Sequence, residues 1–390
     1  MARRKRRVKK TAIKYLYLFI FLVVLVVSTA LFSKNKITVA DKASLNVSGE
    51  VYPIKTSKLS IAMVGDCLIH SAVYKDAYSG GKYNFYPKLS SMKPVISKFD
   101  LAYYNQESIL GGTEIGVSTY PRFNSPQEVG DAMIDTGFNI VSLANNHTLD
   151  RGKNAIVNSR KYWNSHKDIM VNGSATSQKE KDDIQIFEKN GIKYTMLSYT
   201  TTTNGIPMPN DYYVNWYSEA NVKKDIDKVK DKTDVIMVAM HWGVEYNTGV
   251  TQEQKNIAKY LASLGVNIVI GAHPHVIEPA EYIDNTLVIY SLGNFISAQR
   301  TDEQLSGLLM SADIVKKVDT KTGESTISIE NATADFTYTY RNKSTLKGYK
   351  VYPYKDLNAN IFPNYKKTYN TLKERMTSMD SKIKVKSLEK

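Results

Sequence analysis

Short apolar runs closed by Gly, Asn or Asp recur along the chain, separated by polar stretches. Residues 59–64, 99–104, 138–143, 169–172, 193–198, 234–240 and 287–291 are such runs, and they predict buried strands. Between them, residues 153–165, 218–230 and 251–264 predict helices, the last amphipathic with Ile257, Leu261 and Leu264 on one face. Ser125-Pro126-Gln127-Glu128 predicts another helix, with Ser125 as N-cap and proline at the first position, running to Thr136-Gly137. This alternation indicates an α/β domain over residues 58–340. After Leu305 the helical segments stop, and residues 307–315, 325–330 and 334–340 predict strands that would close a second sheet. Residues 341–390, rich in Lys, Tyr and Asn, are expected to form a loosely packed extension with a helix over 365–378.

Residues 13–32 are nearly all apolar, with Lys14 near the start. That is enough chain to cross a hydrocarbon core of about 30 Å. Arg3, Arg4, Lys5, Arg6, Arg7, Lys9 and Lys10 precede the run, and only Lys34 and Lys36 closely follow it. The bias predicts one transmembrane anchor with residues 1–12 in the cytoplasm, a linker over 33–57, and the main domain outside the cell. A cleaved signal peptide is the competing reading, with Ser28 to Ala30 as its cleavage region, but the length of the run favours retention.

The formal charge of +14 suggests a nucleic-acid binder until it is located. Residues 1–36 hold much of the excess and no acid, so the body is not notably basic and no nucleic-acid partner is expected. The single cysteine, Cys67, allows no intramolecular disulfide, so an exported body must rely on its hydrophobic core.

Polar residues collect where the apolar strands stop. Asp66, Glu107, Asn146, His147, His241, His273 and His275 lie at or just past predicted strand ends. The carboxyl ends of strands are where α/β sheets bind ligands. In the run Asn267 to Val276, His273 and His275 are two apart, which in extended chain puts both imidazoles on one face. A mixed carboxylate, amide and imidazole set suits a divalent Mn, Fe or Zn ion better than Mg. A carboxylate set between two ions could bridge them. Plainer roles stand beside these: Asp66 as a helix cap, Glu107 as a surface acid, Asn145 and Asn146 as turn residues, and a histidine capping a carbonyl. Trp242 and Tyr246 read as cleft walls or packing, Glu245 as an orienter of His241, and Cys67 as a small buried hydrophobe. His70 and His166 read as ordinary histidines, and Arg122 as a solvated cation or a contact for an anionic substrate.

Gly65-Asp66, Asn105-Gln106-Glu107, Ala144-Asn145-Asn146-His147, the run from His241 to Tyr246, Gly271-Ala272-His273-Pro274-His275-Val276 and the run from Tyr290 to Phe295 occur in order over residues 58–298. Together they resemble the successive motifs of the CapA/PgsA family of poly-γ-glutamate capsule synthesis proteins, relatives of the calcineurin-like metallophosphoesterases. The resemblance implies a metallophosphoesterase-like sandwich of two β-sheets flanked by helices, preceded by a membrane anchor. It further implies that Asp66 and His275 bind a first metal, that Asn146, His241 and His273 bind a second, and that Glu107 lies between them. His147 would face substrate as proton donor or oxyanion partner, with Asp150 orienting it. Hydrolytic relatives usually carry Asp-x-His at the first strand end and a bridging Asp; here Leu68 and Glu107 stand there. One ion at the second site is therefore the firmer expectation, and two the fuller one.

The function implied is a membrane-anchored, outward-facing subunit of poly-γ-glutamate synthesis or export, working with membrane ligase subunits on a polyanionic polymer. Two other readings stay open: an extracellular metal-dependent phosphoesterase or cell-envelope hydrolase, and a non-catalytic polymer-binding scaffold.

Overall fold

The computed structural model describes residues 54–388. The basic arm, the apolar run 13–32 and nearly all of the linker lie outside that range. Among the described residues no helix is long and apolar enough to cross a membrane.

The strands in chain order begin with β1 (Ile54–Cys67), the hairpin arms β2 (Tyr78–Ser79) and β3 (Lys82–Tyr83), β4 (Leu101–Asn105), β5 (Ile140–Ser142) and β6 (Met170–Asn172). Next come β7 (Phe187–Lys189), β8 (Ile192–Thr200), β9 (Val235–His241), β10 (Ile268–Ala272), β11 (Ile277–Ile283) and β12 (Thr286–Leu292). The last are β13 (Asn294–Ile296), β14 (Ser306–Asp319), β15 (Ser325–Tyr340), β16 (Lys350–Pro353) and β17 (Lys384–Val385). One sheet runs β16-β15-β14-β1-β4-β5-β6, with β13 added to β1 and β17 to β15; the other runs β11-β12-β10-β9-β8-β7.

Side-chain alternation along β1 explains the layering. Leu59, Ile61 and Met63 point between the sheets, where they join Leu101, Met196, Met237, Ile268, Ile270 and Ile289. Ala62 and Val64 point the other way, onto Met92, Val129, Met133 and Trp163 of covering helices. The outer face of the second sheet is closed in the same manner by Val222 and Ile226 of helix Glu219–Val229 and by Ile257 and Leu261 of helix Gln252–Ser263. Four layers result: helix, sheet, sheet, helix. Strands covered on both faces read as continuous apolar runs, which is why they stood out in the sequence.

Three expectations change. The strands after Leu305 extend the first sheet instead of closing a second: β14 lies antiparallel along β1, with Leu59 opposite Ile314, and residues 325–340 form one long strand. The second sheet comes from the middle of the chain, and its edge strand β11 has no continuous apolar run in the sequence because Glu278, Pro279 and Glu281 break it. The segment after Tyr340 is not loose. Strand β16 pairs with β15, and helix Tyr365–Met376 buries Tyr369, Leu372 and Met376 against the inter-sheet core. Its Lys and Asn surplus faces solvent while three apolar residues three or four apart face inward, a short stripe easily lost in polar composition. Locally, Ser218 and Thr251 cap their helices as N-terminal residues should, Thr251 through a capping box. Ser125 does not: its hydroxyl donates to Ser108 Oγ at 2.9 Å, and helix Glu128–Thr136 starts from Gln127.

Candidate metal centre

The parallel strands β1, β4, β9 and β10 end on the same edge of the two sheets and bring their following residues together. Asp66 pairs in register with Asn105 of β4 and Asn294 of β13, and Ala272 pairs with His241. Close approach at this edge demands glycine: a Cβ on Gly65 would lie 1.8 Å from the Gly293 carbonyl oxygen, and one on Gly271 would lie 1.9 Å from that of Tyr290.

Extended-chain alternation is not what aims the two histidines. Strand β10 stops at Ala272, and His273 and His275 turn with φ of 100° and 60°. Backbone in that region is strained for a residue with a Cβ, and such strain concentrates at functional sites. The turn splits the pair. His273 groups with Glu107 and His241, and His275 with Asp66 and Glu107; within each group the candidate ligand atoms lie inside 4.8 Å of one another.

Glu107 is common to both groups. Its Oε1 is 3.8 Å from His241 Nε2 and 3.6 Å from His275 Nε2. Asp66 Oδ2 is 3.3 Å from His275 Nδ1 and 3.4 Å from the His273 backbone nitrogen. Asn146 Oδ1 lies 3.0 Å from His241 Nε2. All six residues that the resemblance assigns to metal are buried and meet in one place.

Two asparagines with no role in the sequence reading hold this arrangement. Asn105 Nδ2 donates to Asp66 Oδ1 at 2.8 Å and lies 3.4 Å from His241 Nδ1. Asn294 Nδ2 donates to the backbone carbonyls of His275 and Gln304, so its oxygen is left to accept the His275 Nδ1 hydrogen at 3.0 Å. With Nδ1 held as the donor to Asn294, Nε2 is the nitrogen that faces Glu107 and is the one available to an ion. Both asparagines sit inside quoted motifs, but nothing local in a sequence marks such an orienting role.

The donor set fits a dication. Both oxygens of Glu107 and Nδ1 of His273 are buried with no hydrogen-bond partner. Burying a carboxylate without a donor costs several kcal/mol unless a cation or a proton takes the place of water. Burial pushes the Glu107 carboxyl well above its usual range and holds His241 well below the usual imidazole range. Burial likewise lowers His273 to about 4. Burial opposes charge on His275 too, but Glu107 and Asp66 outweigh it and push that imidazole up to about 10.

Beside the cluster opens a cleft of about 380 Å³, lined among others by His147, Asp150 and His275. His147 Nδ1 lies 2.7 Å from Asp150 Oδ2, which also accepts the Phe123 backbone N–H at 2.6 Å. Asn145 Oδ1 accepts the His147 backbone N–H at 3.0 Å, so Asn145 does serve its turn. Glu245, expected to orient His241, instead lines the cleft and is exposed; Asn105 and Asn146 contact that ring. Trp242 is packing, with its indole N–H on the Tyr290 carbonyl, and Tyr246 is a cleft wall. His70, read as ordinary, lines the cleft and meets Phe123 edge-on, whereas His166 packs on Tyr162 and Trp163. Cys67 is buried, and burial pushes its thiol up.

A family profile described as bacterial capsule synthesis protein PGA_cap matches residues 60–299. The chain is 29% identical over 177 residues to the PGA biosynthesis protein CapA of Bacillus subtilis (strain 168), covering 42% of this chain and 44% of that protein. It is 27% identical over 187 residues to the capsule biosynthesis protein CapA of Bacillus anthracis, covering 45% and 44%. The chain thus spans less than half the length of the curated relatives it matches. Among solved structures, TT1561 of Thermus thermophilus overlaps with a TM-score of 0.38 at 8% identity, over 70% of this chain and 98% of that one. A 5'-nucleotidase from Candida albicans overlaps with a TM-score of 0.41 at 11% identity, over 69% and 54%. Overlaps this slight do not assign the fold, which rests here on strand pairing and layering.

Proposed function

The chain belongs to the bacterial capsule synthesis protein family PGA_cap, and from that premise we propose that it is a membrane-anchored, outward-facing subunit of poly-γ-glutamate synthesis or export. In this reading Asp66, Glu107, Asn146, His241, His273 and His275 hold one or two divalent ions, of Mn, Fe or Zn. The observation that carries it is Glu107, whose two buried oxygens lack any donor while three imidazoles, in two groups, converge on it. A bound ion would supply Lewis acidity and a water ionisable near neutral pH. The residues of the chain supply the rest. Asn294 orients His275, Asn105 contacts Asp66 and His241, Asp150 holds His147 with Nε2 free for the cleft, and the cleft gives access to the cluster. The apolar run 13–32 keeps this site near the point where polymer leaves the membrane, raising the local concentration of each for the other. Membrane ligase subunits are the partners this reading requires.

A second reading, an extracellular metal-dependent phosphoesterase or envelope hydrolase, draws support from the His147–Asp150 pair, an arrangement suited to proton transfer. Gene deletion followed by capsule polymer analysis, with Glu107→Ala as the rescuing variant, tests the first reading. Loss of polymer that wild type restores and Glu107→Ala does not is the expected result. Unchanged polymer on deletion overturns it. Turnover of a generic phosphoester, abolished in His273→Ala, would favour the hydrolase. Full rescue by the Glu107→Ala, His241→Ala double variant at normal expression would reduce the protein to a scaffold.

A further inference from the structure

The cleft beside the cluster carries two opposite charges that no salt bridge pairs. Arg122 and Glu245 both line it. Both are exposed, and among the described residues neither side chain has an ion-pair or hydrogen-bond partner, including each other. The two residues come from different loops, Arg122 from the segment between β4 and helix Glu128–Thr136, Glu245 from the one after β9. The half-exposed Tyr246 shares the cleft wall, its hydroxyl 3.4 Å from Gln299 Nε2.

A cation and an anion held apart in one cleft do not suit a uniform polyanion, because Glu245 would repel it. They suit a group bearing both signs. In a γ-linked glutamyl chain every residue keeps its α-carboxylate, but only the amino-terminal residue keeps an α-ammonium on the same carbon. We propose that this cleft binds the α-amino-acid end group of a γ-glutamyl chain, Arg122 taking the carboxylate and Glu245 the ammonium. The inference rests on the capsule-polymer reading and makes the protein a reader of chain ends.

The test is calorimetric titration of the purified full chain with synthetic tri-γ-glutamate, its amine free or N-acetylated, and with free glutamate. The free-amine trimer should bind about tenfold more tightly than the acetylated one, the worth of one charge-assisted contact. Glu245→Gln should erase that preference at the weaker affinity, and Arg122→Gln should weaken both trimers alike. Both side chains are exposed, so an unchanged melting temperature shows the variants fold. Equal binding of the two trimers to wild type, no binding of either, or free glutamate binding as tightly as the trimer each overturns the proposal. None of these results touches the capsule reading, which falls only if deletion leaves polymer unchanged.

Discussion

His147 Nδ1 lies 2.7 Å from Asp150 Oδ2, and the same carboxylate oxygen accepts the Phe123 backbone N–H. A carboxylate only accepts, so the imidazole carries its hydrogen on Nδ1 and leaves Nε2 to the cleft. In Asp150→Asn the amide nitrogen can donate instead and invert the tautomer. Folding and metal content should be retained while polymer output, or phosphoester turnover under the second reading, falls by about 10²-fold. Retained output would remove His147 from the chemistry.

Glu107→Gln replaces an undonated buried carboxylate by a neutral group of nearly equal volume. A metal at a hundredfold its Kd should stabilise wild type by about 3 kcal/mol and the variant hardly at all. Without metal, the variant should melt no lower than wild type, since it no longer buries that carboxylate. Thermal melts with Mn or Zn and with chelator read both effects.

Metal affinity should rise with pH. Burial opposes charge on His275, yet Glu107 and Asp66 push it up to about 10, and Glu107 is itself raised by burial, so the ion-free cluster holds a proton at neutral pH. Burial keeps His241 and His273 neutral, the second lowered to about 4. A dication thus displaces about one proton, and its affinity should gain about tenfold per pH unit between about pH 6 and 8. A flat profile in titrations across that range would mean the cluster is not where the metal binds.

Glu278 sets a pH dependence of stability separate from metal. Its Oε2 accepts from Gln254 Nε2 at 2.7 Å, its Oε1 has no partner, and burial pushes the carboxyl from its ordinary 4.5 up to about 8. The folded state therefore keeps a proton that the unfolded chain releases across that interval. Its contribution to stability is complete below the lower value and lost as pH rises through the upper one. Melting temperatures of wild type should fall relative to Glu278→Gln as pH rises from about 5 to 8.

Met376 is fully buried at the end of helix Tyr365–Met376. Met376→Ala should cost about 2–5 kcal/mol in denaturant unfolding, the range for emptying a packed core position. A loss near zero would return the last segment to the status of a loose appendage.

Much of the candidate cluster is legible in the sequence. Asp66, Glu107, Asn146, His241, His273 and His275 were marked by lying where apolar runs end, because a strand end is a local feature written in adjacent residues. Asn105 and Asn294 escaped because each acts across the cluster, on Asp66, His241 and His275, and no short window contains both partners. The loops bearing Arg122 and Glu245 share one cleft for the same nonlocal reason.

By itself the chain order determined most of the buried strands though not β11, where helices 219–229 and 252–263 begin, and which donors stand at the strand ends. These follow from periodicity and capping, which act over a few residues. Only the tertiary structure decided that β14 lies along β1, that the last helix closes the inter-sheet core, and that His273 and His275 separate into two groups about Glu107. Strand partnership, and the positive φ that turns the two imidazoles apart, depend on which surfaces bury each other across hundreds of residues.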